Sequence, residues 1–165
     1  MKKITAKTVF IALGIKLLIT AALLLVCNFA QAQNPLNAKA ESIAGNYDVK
    51  HGGFQSKVRI SKASDGSYMA QIYWVENPND PATGKKILDE RNPDKSLRNV
   101  PCDQIVLVRG LKYNAKKECW DGGKIYDPTR GINANASAEF APDGRLKIRG
   151  SLMGFGETVY WDKAK

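Results

Sequence analysis

From Ile43 onward the chain alternates apolar and polar positions with a period of two, the signature of strands with one dry and one wet face. Val58 and Ile60 alternate with Lys57, Arg59 and Ser61. Ser64-Asp65-Gly66-Ser67 then reads as a turn, and Tyr68–Val75 as the returning strand. An Asp-Gly pair between such runs is a strong hairpin signal. The device recurs where Ala134, Ala136, Ala138 and Phe140 alternate with Asn133, Asn135, Ser137 and Glu139. Pro142-Asp143-Gly144 turns the chain, and Leu146, Ile148 and Leu152 alternate with Arg145, Lys147 and Arg149. Further strands are expected over 104–109 and 123–126, with an opening strand at 45–49 and a closing one at 158–161. About eight short strands in one domain mean a sandwich or a barrel. A barrel is favoured because closure leaves no exposed edge. The predicted fold is a single antiparallel up-and-down β-barrel of about eight strands. On the 68–75 strand, Trp74 shares its parity with Tyr68 and Ile72 and is expected on the core face, with Met69, Tyr73 and Val75 opposite.

The segment from Glu76 to Pro101 breaks this pattern. It carries four prolines, many Asn and Asp, and no sustained alternation. Asn92-Pro93-Asp94 predicts a helical turn over about 93–98, with Asn92 as the cap. A loop this long in a compact domain is usually functional or mobile, and this one is expected near a barrel mouth.

The first 32 residues are of a different kind. Lys2, Lys3, Lys7 and Lys16 precede an apolar run of 11 residues, Leu17–Cys27, and Ala30-Gln31-Ala32 places small residues where a signal peptidase reads. The pattern predicts a signal peptide over 1–32, cleaved between Ala32 and Gln33. The alternative, an uncleaved anchor, needs about 20 apolar residues, and Lys16 interrupts the longer stretch. A short polar leader (33–42) and a barrel domain (43–165) would come next, periplasmic or secreted and without a stable membrane anchor.

Cleavage also changes the charge. The whole chain carries 25 basic and 16 acidic residues, a net +9; with four lysines in the leading segment, the remainder has 21 basic residues and a net +5. These charges are interspersed, without a block of like sign, which argues against nucleic acid. Cys102 and Cys119, an even pair in an exported domain, point to a disulfide. Closing the 16-residue interval between them would stabilise by about 3 kcal/mol in the loop-entropy argument. A metal pair and two free thiols are the alternatives.

Catalytic chemistry finds little support. His51 is the only histidine, in a Gly-Gly turn, so a nucleophile-histidine system would have to use it. Asp80, Asp89, Glu90 and Asp94 lie on the Pro-rich loop, where capping and solvation explain them, and no cleft-spanning pair is evident. Asn77, Asn79 and Asp80 lack the Gly and Glu spacing of a calcium loop. Gly122-Gly123-Lys124 lacks the remaining positions of a phosphate loop and leads into a strand. No catalytic residue, metal site or cofactor is predicted. Aromatics are the more informative set: Trp74, Trp120, Tyr126 and Trp161 are candidate contacts for an apolar or sugar ligand, with core packing the competing reading.

The blocks Asp89-Glu90-Arg91-Asn92-Pro93-Asp94, Leu97-Arg98-Asn99, Trp120-Asp121-Gly122-Gly123-Lys124-Ile125-Tyr126-Asp127-Pro128, Gly131 and Leu146-Lys147-Ile148-Arg149-Gly150 occur in this order. In these blocks, from about Gly45 to Trp161, the chain resembles the exported bacterial family called domain of unknown function 2147. The resemblance implies a lipocalin-like (calycin) barrel and no particular reaction. Family members often open with Gly-x-Trp and close with Trp-x-Arg; here Tyr47 and Lys163 stand at those positions, and a weaker cation–π contact between them would close the base. The resulting expectation is an exported, non-enzymatic barrel of the cell envelope that binds a small apolar or amphipathic ligand. A filled barrel that docks an envelope protein is the alternative, and an unrecognised enzyme the third reading.

Overall fold

Alternating side chains can form a closed core only if the sheet curls until its dry faces meet, and here it does. The computed structural model describes residues 34–51 and 53–165, and Asn34–Lys165 forms one compact unit. Its strands are β1 (Gly45–His51), β2 (Phe54–Lys62), β3 (Tyr68–Val75), β4 (Val106–Asn114), β5 (Cys119–Asp127), β6 (Ile132–Phe140), β7 (Leu146–Leu152) and β8 (Phe155–Lys163). Each pairs antiparallel with the next, and β8 returns to β1, closing an eight-stranded up-and-down barrel as the alternation predicts. The Asp-Gly hairpins form as expected. Gly66 and Gly144 take φ of 79° and 86°, a region glycine enters without steric cost, and Asp65 accepts hydrogen bonds from the Ser67 amide and hydroxyl.

The barrel has two unlike ends. The β2–β3, β4–β5 and β6–β7 hairpins form the base. The base is filled: Trp120 is fully buried, with its ring 5.4 Å from Tyr113 and 5.9 Å from Phe140. Ala138 lies directly across from Trp120, so the alanine face of β6 gives the indole its room. The segment before β1 is more than a polar leader. It forms two 3-10 turns, Pro35–Ala38 and Ala40–Ile43, that plug this end. Asn37 is buried and brackets Phe140, donating to its carbonyl (3.0 Å) and accepting from its amide (2.6 Å). The Trp120 indole N–H donates to the Ala40 carbonyl (3.0 Å), and the Tyr113 hydroxyl to that of Asn37 (2.8 Å). These bonds satisfy polar groups that the core would otherwise strand.

The expected base contact between Tyr47 and Lys163 takes another form. The two residues face each other across β1 and β8, but Lys163 Nζ caps the Ser42 carbonyl (3.1 Å) and the Tyr47 hydroxyl donates to Ile43 (2.8 Å). The Tyr47 ring leans instead on Trp161, 6.2 Å away. The helical turn in the long loop is a 3-10 turn over Lys95–Leu97, capped by Asp94 and not by Asn92.

Candidate functional site: the barrel mouth

The other end, formed by the β1–β2, β5–β6 and β7–β8 hairpins and the loop from β3 to β4, is hollow. A cavity of about 1000 Å³ opens there. Trp161 is its floor, and Val49, Ile72, Leu107, Ile125 and Val159 are among its apolar walls. Sequence explains the space. Ala134 and Gly150 occupy inward positions where a larger residue would fill it, and a Cβ at Gly150 would already stand 3.2 Å from Ile125.

Polar groups gather at the rim. Asp127 accepts from the Thr129 amide (2.8 Å) and hydroxyl (2.6 Å) and from Arg130, whose other nitrogen reaches Glu157 (2.6 Å). Partial burial alone would raise the Asp127 carboxyl, but these donors prevail and hold it at about 2. The long loop is latched to the same rim. Asp89 is buried and accepts from the Tyr126 hydroxyl (2.6 Å) and from the Asn92 side chain (2.7 Å). Burial, and then the hydrogen bond to Asp89, push the Tyr126 phenol well above its usual range. Arg91 donates to the Thr129 carbonyl, and its backbone lies so close to Gly131 that a Cβ there would clash with the Arg91 carbonyl oxygen. Gly131 also has a φ of 69°, so both space and backbone require glycine. Arg98 ties the loop internally by donating to the Asn92 carbonyl (2.8 Å).

The four aromatic candidates separate. Trp161 and Tyr126 line the mouth. Trp120 belongs to the filled base, away from the cavity. Trp74 is on the outside, 42% exposed, beneath Lys57 (5.8 Å from the ring centroid). Its expected core-facing parity fails at a β-bulge: Val58 pairs with Ile72 but Lys57 pairs with Trp74, so Tyr73 is an extra residue. A bulge reverses the sidedness of the residues beyond it, and Val75 takes the cavity wall in place of Trp74.

The predicted disulfide is absent. Both cysteines are free. Cys102 lies in the long loop at the mouth, with its thiol 3.6 Å from the Pro78 carbonyl, whereas Cys119 opens β5 at the base opposite Asn114. The length of β4 separates those ends, about 26 Å for a nine-residue strand, far beyond the reach of a disulfide. An even number of cysteines carries no information about which end of the barrel each one occupies. Burial pushes both thiols up, the opposite of an activated nucleophile. His51 ends β1 at the mouth, lining the cavity. Among the described residues no group of three or more His, Cys, Asp or Glu is placed to hold a metal ion. The predicted cleavage site, Ala32 and Gln33, lies outside the described residues.

The family described as "Uncharacterized protein conserved in bacteria (DUF2147)" matches residues 45–163, which span the barrel from β1 to β8. The chain is a member of that family. The blocks that carried the resemblance are brought together in the DUF2147 barrel: Asp89–Asp94 is the strap, and Tyr126–Gly131 is the surface it is fastened to. A solved structure, "Protein HP1028 from the human pathogen Helicobacter pylori belongs to the lipocalin family", is similar with a TM-score of 0.59 at 23% identity, over 74% of this chain and 83% of that one. That likeness supports the lipocalin-like fold. No curated protein matches the chain.

Sequence reading missed the latch and the space-making role of Ala134 and Gly150. The latch had a signal: a Tyr-Asp-Pro block and a second block rich in Asp, Arg and Asn both lie next to turns, where charged residues do not need each other unless the turns meet.

Proposed function

We propose that this protein is an exported, non-enzymatic binding barrel of the cell envelope that holds a small apolar or amphipathic molecule in its mouth. The observation that carries the reading is the cavity itself. About 1000 Å³ of apolar-walled space is at the upper end of the range for sites that enclose a drug-sized ligand, and a filled docking barrel has no use for it. Charged groups are confined to the rim, where Arg130, Asp127 and Glu157 would meet the polar end of an amphiphile. Trp161, Tyr126, Val75 and Ile125 would meet its apolar body. The N-terminal pattern of lysines, apolar run and Ala-Gln-Ala supports export.

Native mass spectrometry of the protein from its own envelope fraction, before and after organic extraction, tests the proposal. A reproducible extra mass that extraction removes, and that is missing from Ala134→Trp, is expected. A chain that carries no extra mass and binds no fluorescent fatty-acid probe would overturn the ligand-binding reading. A mature chain that does not begin at Gln33 would overturn the assigned cleavage.

A further inference from the structure

The β1 and β8 strands that close the barrel are paired only near the base. Their register runs through Tyr47–Lys163 and Asp48–Asp162 and ends there. The last pair sets two carboxylates opposite each other, which weakens a cross-strand contact. Beyond it, β1 stays paired with β2 as far as His51–Phe54, and β8 with β7 as far as Leu152–Phe155. Two intact hairpins therefore part from each other toward the mouth, and the cavity reaches the gap, with Val49 and His51 on one lip and Val159 and Phe155 on the other.

The hairpin tips are apolar where water would favour polar residues. Phe54 is 60% exposed, Met153 92% and Phe155 85%. Met153 also holds a left-handed φ of 50° ahead of Gly154 in a two-residue turn, a place that Asn or Asp fills at lower cost. Charge is one-sided at these tips. Neither 49–56 nor 149–156 contains a carboxylate, while Lys50, His51 and Arg149 are present. Among the described residues Lys50 and Arg149 form no ion pair. Of the nearby carboxylates, Glu157 is paired with Arg130 and Asp48 with Lys57, and Glu76 follows the end of β3, on the far side of β2 from the gap.

We propose that the tips of the β1–β2 and β7–β8 hairpins are a membrane-docking surface. Phe54, Met153 and Phe155 seat at the headgroup level of an anionic bilayer, and the β1–β8 gap faces the lipid. Exposed aromatic and aliphatic side chains flanked by unpaired cations suit that boundary, because apolar burial and attraction to anionic headgroups add. The proposal deepens the reading of the cavity as a ligand site by naming a bilayer as the source of its occupant: a single-tailed lipid passes between the hairpins without crossing water.

The test is sedimentation of the Gln33–Lys165 chain with vesicles. This chain contains every residue of the closed barrel and lacks the apolar run that would itself bind lipid. Binding to phosphatidylglycerol vesicles is expected at low salt, with weaker binding to phosphatidylcholine and loss as salt rises. The triple variant F54S/M153S/F155S should bind at least about tenfold more weakly, and the double variant K50E/R149E should lose the preference for anionic lipid. The exposure of all five positions keeps the fold out of the result. Wild-type protein that ignores both vesicle types, or a triple variant that binds as wild type does, would overturn the docking. So would a dimer that the triple variant dissolves in the absence of vesicle binding, since a second copy would then be the occupant. Fluorescent fatty-acid binding in solution reads the cavity separately: vesicle binding without probe binding keeps the docking and sinks the cavity reading, and the reverse result does the opposite.

Discussion

The base and the mouth of this barrel are built from the same alternating strands, yet one end is packed solid and the other is empty. At the base, inward positions carry Trp120, Phe140, Tyr47 and Leu146, and a plug of two 3-10 turns supplies acceptors for the Trp120 indole N–H and the Tyr47 and Tyr113 hydroxyls. At the mouth, inward positions carry Ala134, Gly150 and medium-sized aliphatics, and the buried polar contacts lie off to one side, between Tyr126 and the long loop. Stability is concentrated where space is full, and binding capacity where it is not. The difference predicts that substitutions at the two ends fail in different ways.

The largest effect is expected at Trp120. Trp120→Ala removes a fully buried indole and its bond to Ala40 and should cost about 3–5 kcal/mol in denaturant unfolding. It should leave probe affinity unchanged wherever the protein is still folded, because the residue is walled off from the cavity. An equal loss of affinity and stability would mean that the two ends are not independent.

A matched pair of tyrosines sharpens the comparison. Tyr126→Phe strips one of two hydrogen bonds from a buried carboxylate, while Tyr113→Phe strips one from a backbone carbonyl at the edge of the plug. The first should cost about 2 kcal/mol and the second about 1 kcal/mol, because an under-satisfied buried charge is the more expensive orphan. Amide hydrogen exchange should show the first confined to 86–104 and the second to the plug. Gly131→Ala tests the latch from the β5–β6 turn. It combines a backbone clash with a left-handed φ, and a loss of about 1–3 kcal/mol is expected.

Acid should touch the rim more than the base. The Asp127 carboxyl is held at about 2 against an ordinary value near 3.8. A depressed carboxyl stabilises the fold fully above its unfolded value, and that contribution is lost as pH falls from about 4 through about 2. The partner Arg130 is about half exposed, so the contribution is discounted to about 1 kcal/mol. Asp127→Asn should flatten this part of the pH–stability curve while leaving stability above pH 5 lower by the same amount.

Strand count, hairpin positions and closure were legible because each depends on local signals: alternation, Asp-Gly turns and the cost of a free edge. What was not legible depends on distance in space. Cys102 and Cys119 are close in sequence, but β4 runs between them from mouth to base. The polar stretch before β1 reads as a tail because its buried members, Asn37 above all, bond to Phe140 more than a hundred residues away. Of the four aromatic candidates, only Trp161 and Tyr126 reach the mouth, since parity alone does not say which end of the barrel a core-facing residue serves.

Trp74 gives the smallest expected effect and the sharpest test of the bulge. If alternation ran unbroken along β3, Trp74 would point inward beside Ile72, and Trp74→Ala would open a core cavity at a cost of about 3 kcal/mol or more. With Tyr73 as the extra residue, the indole lies on the outer sheet face against Lys57, where an exposed cation–π contact contributes about 0.5–1 kcal/mol. Trp74→Ala should therefore shift unfolding by no more than about 1 kcal/mol and leave probe binding unaltered. Deleting Tyr73 checks the same point from the backbone. Without the extra residue, Trp74 follows Ile72 directly, so plain alternation still sets the indole outward opposite Lys57 and Val75 inward opposite Ser56, and probe affinity should again be unaltered.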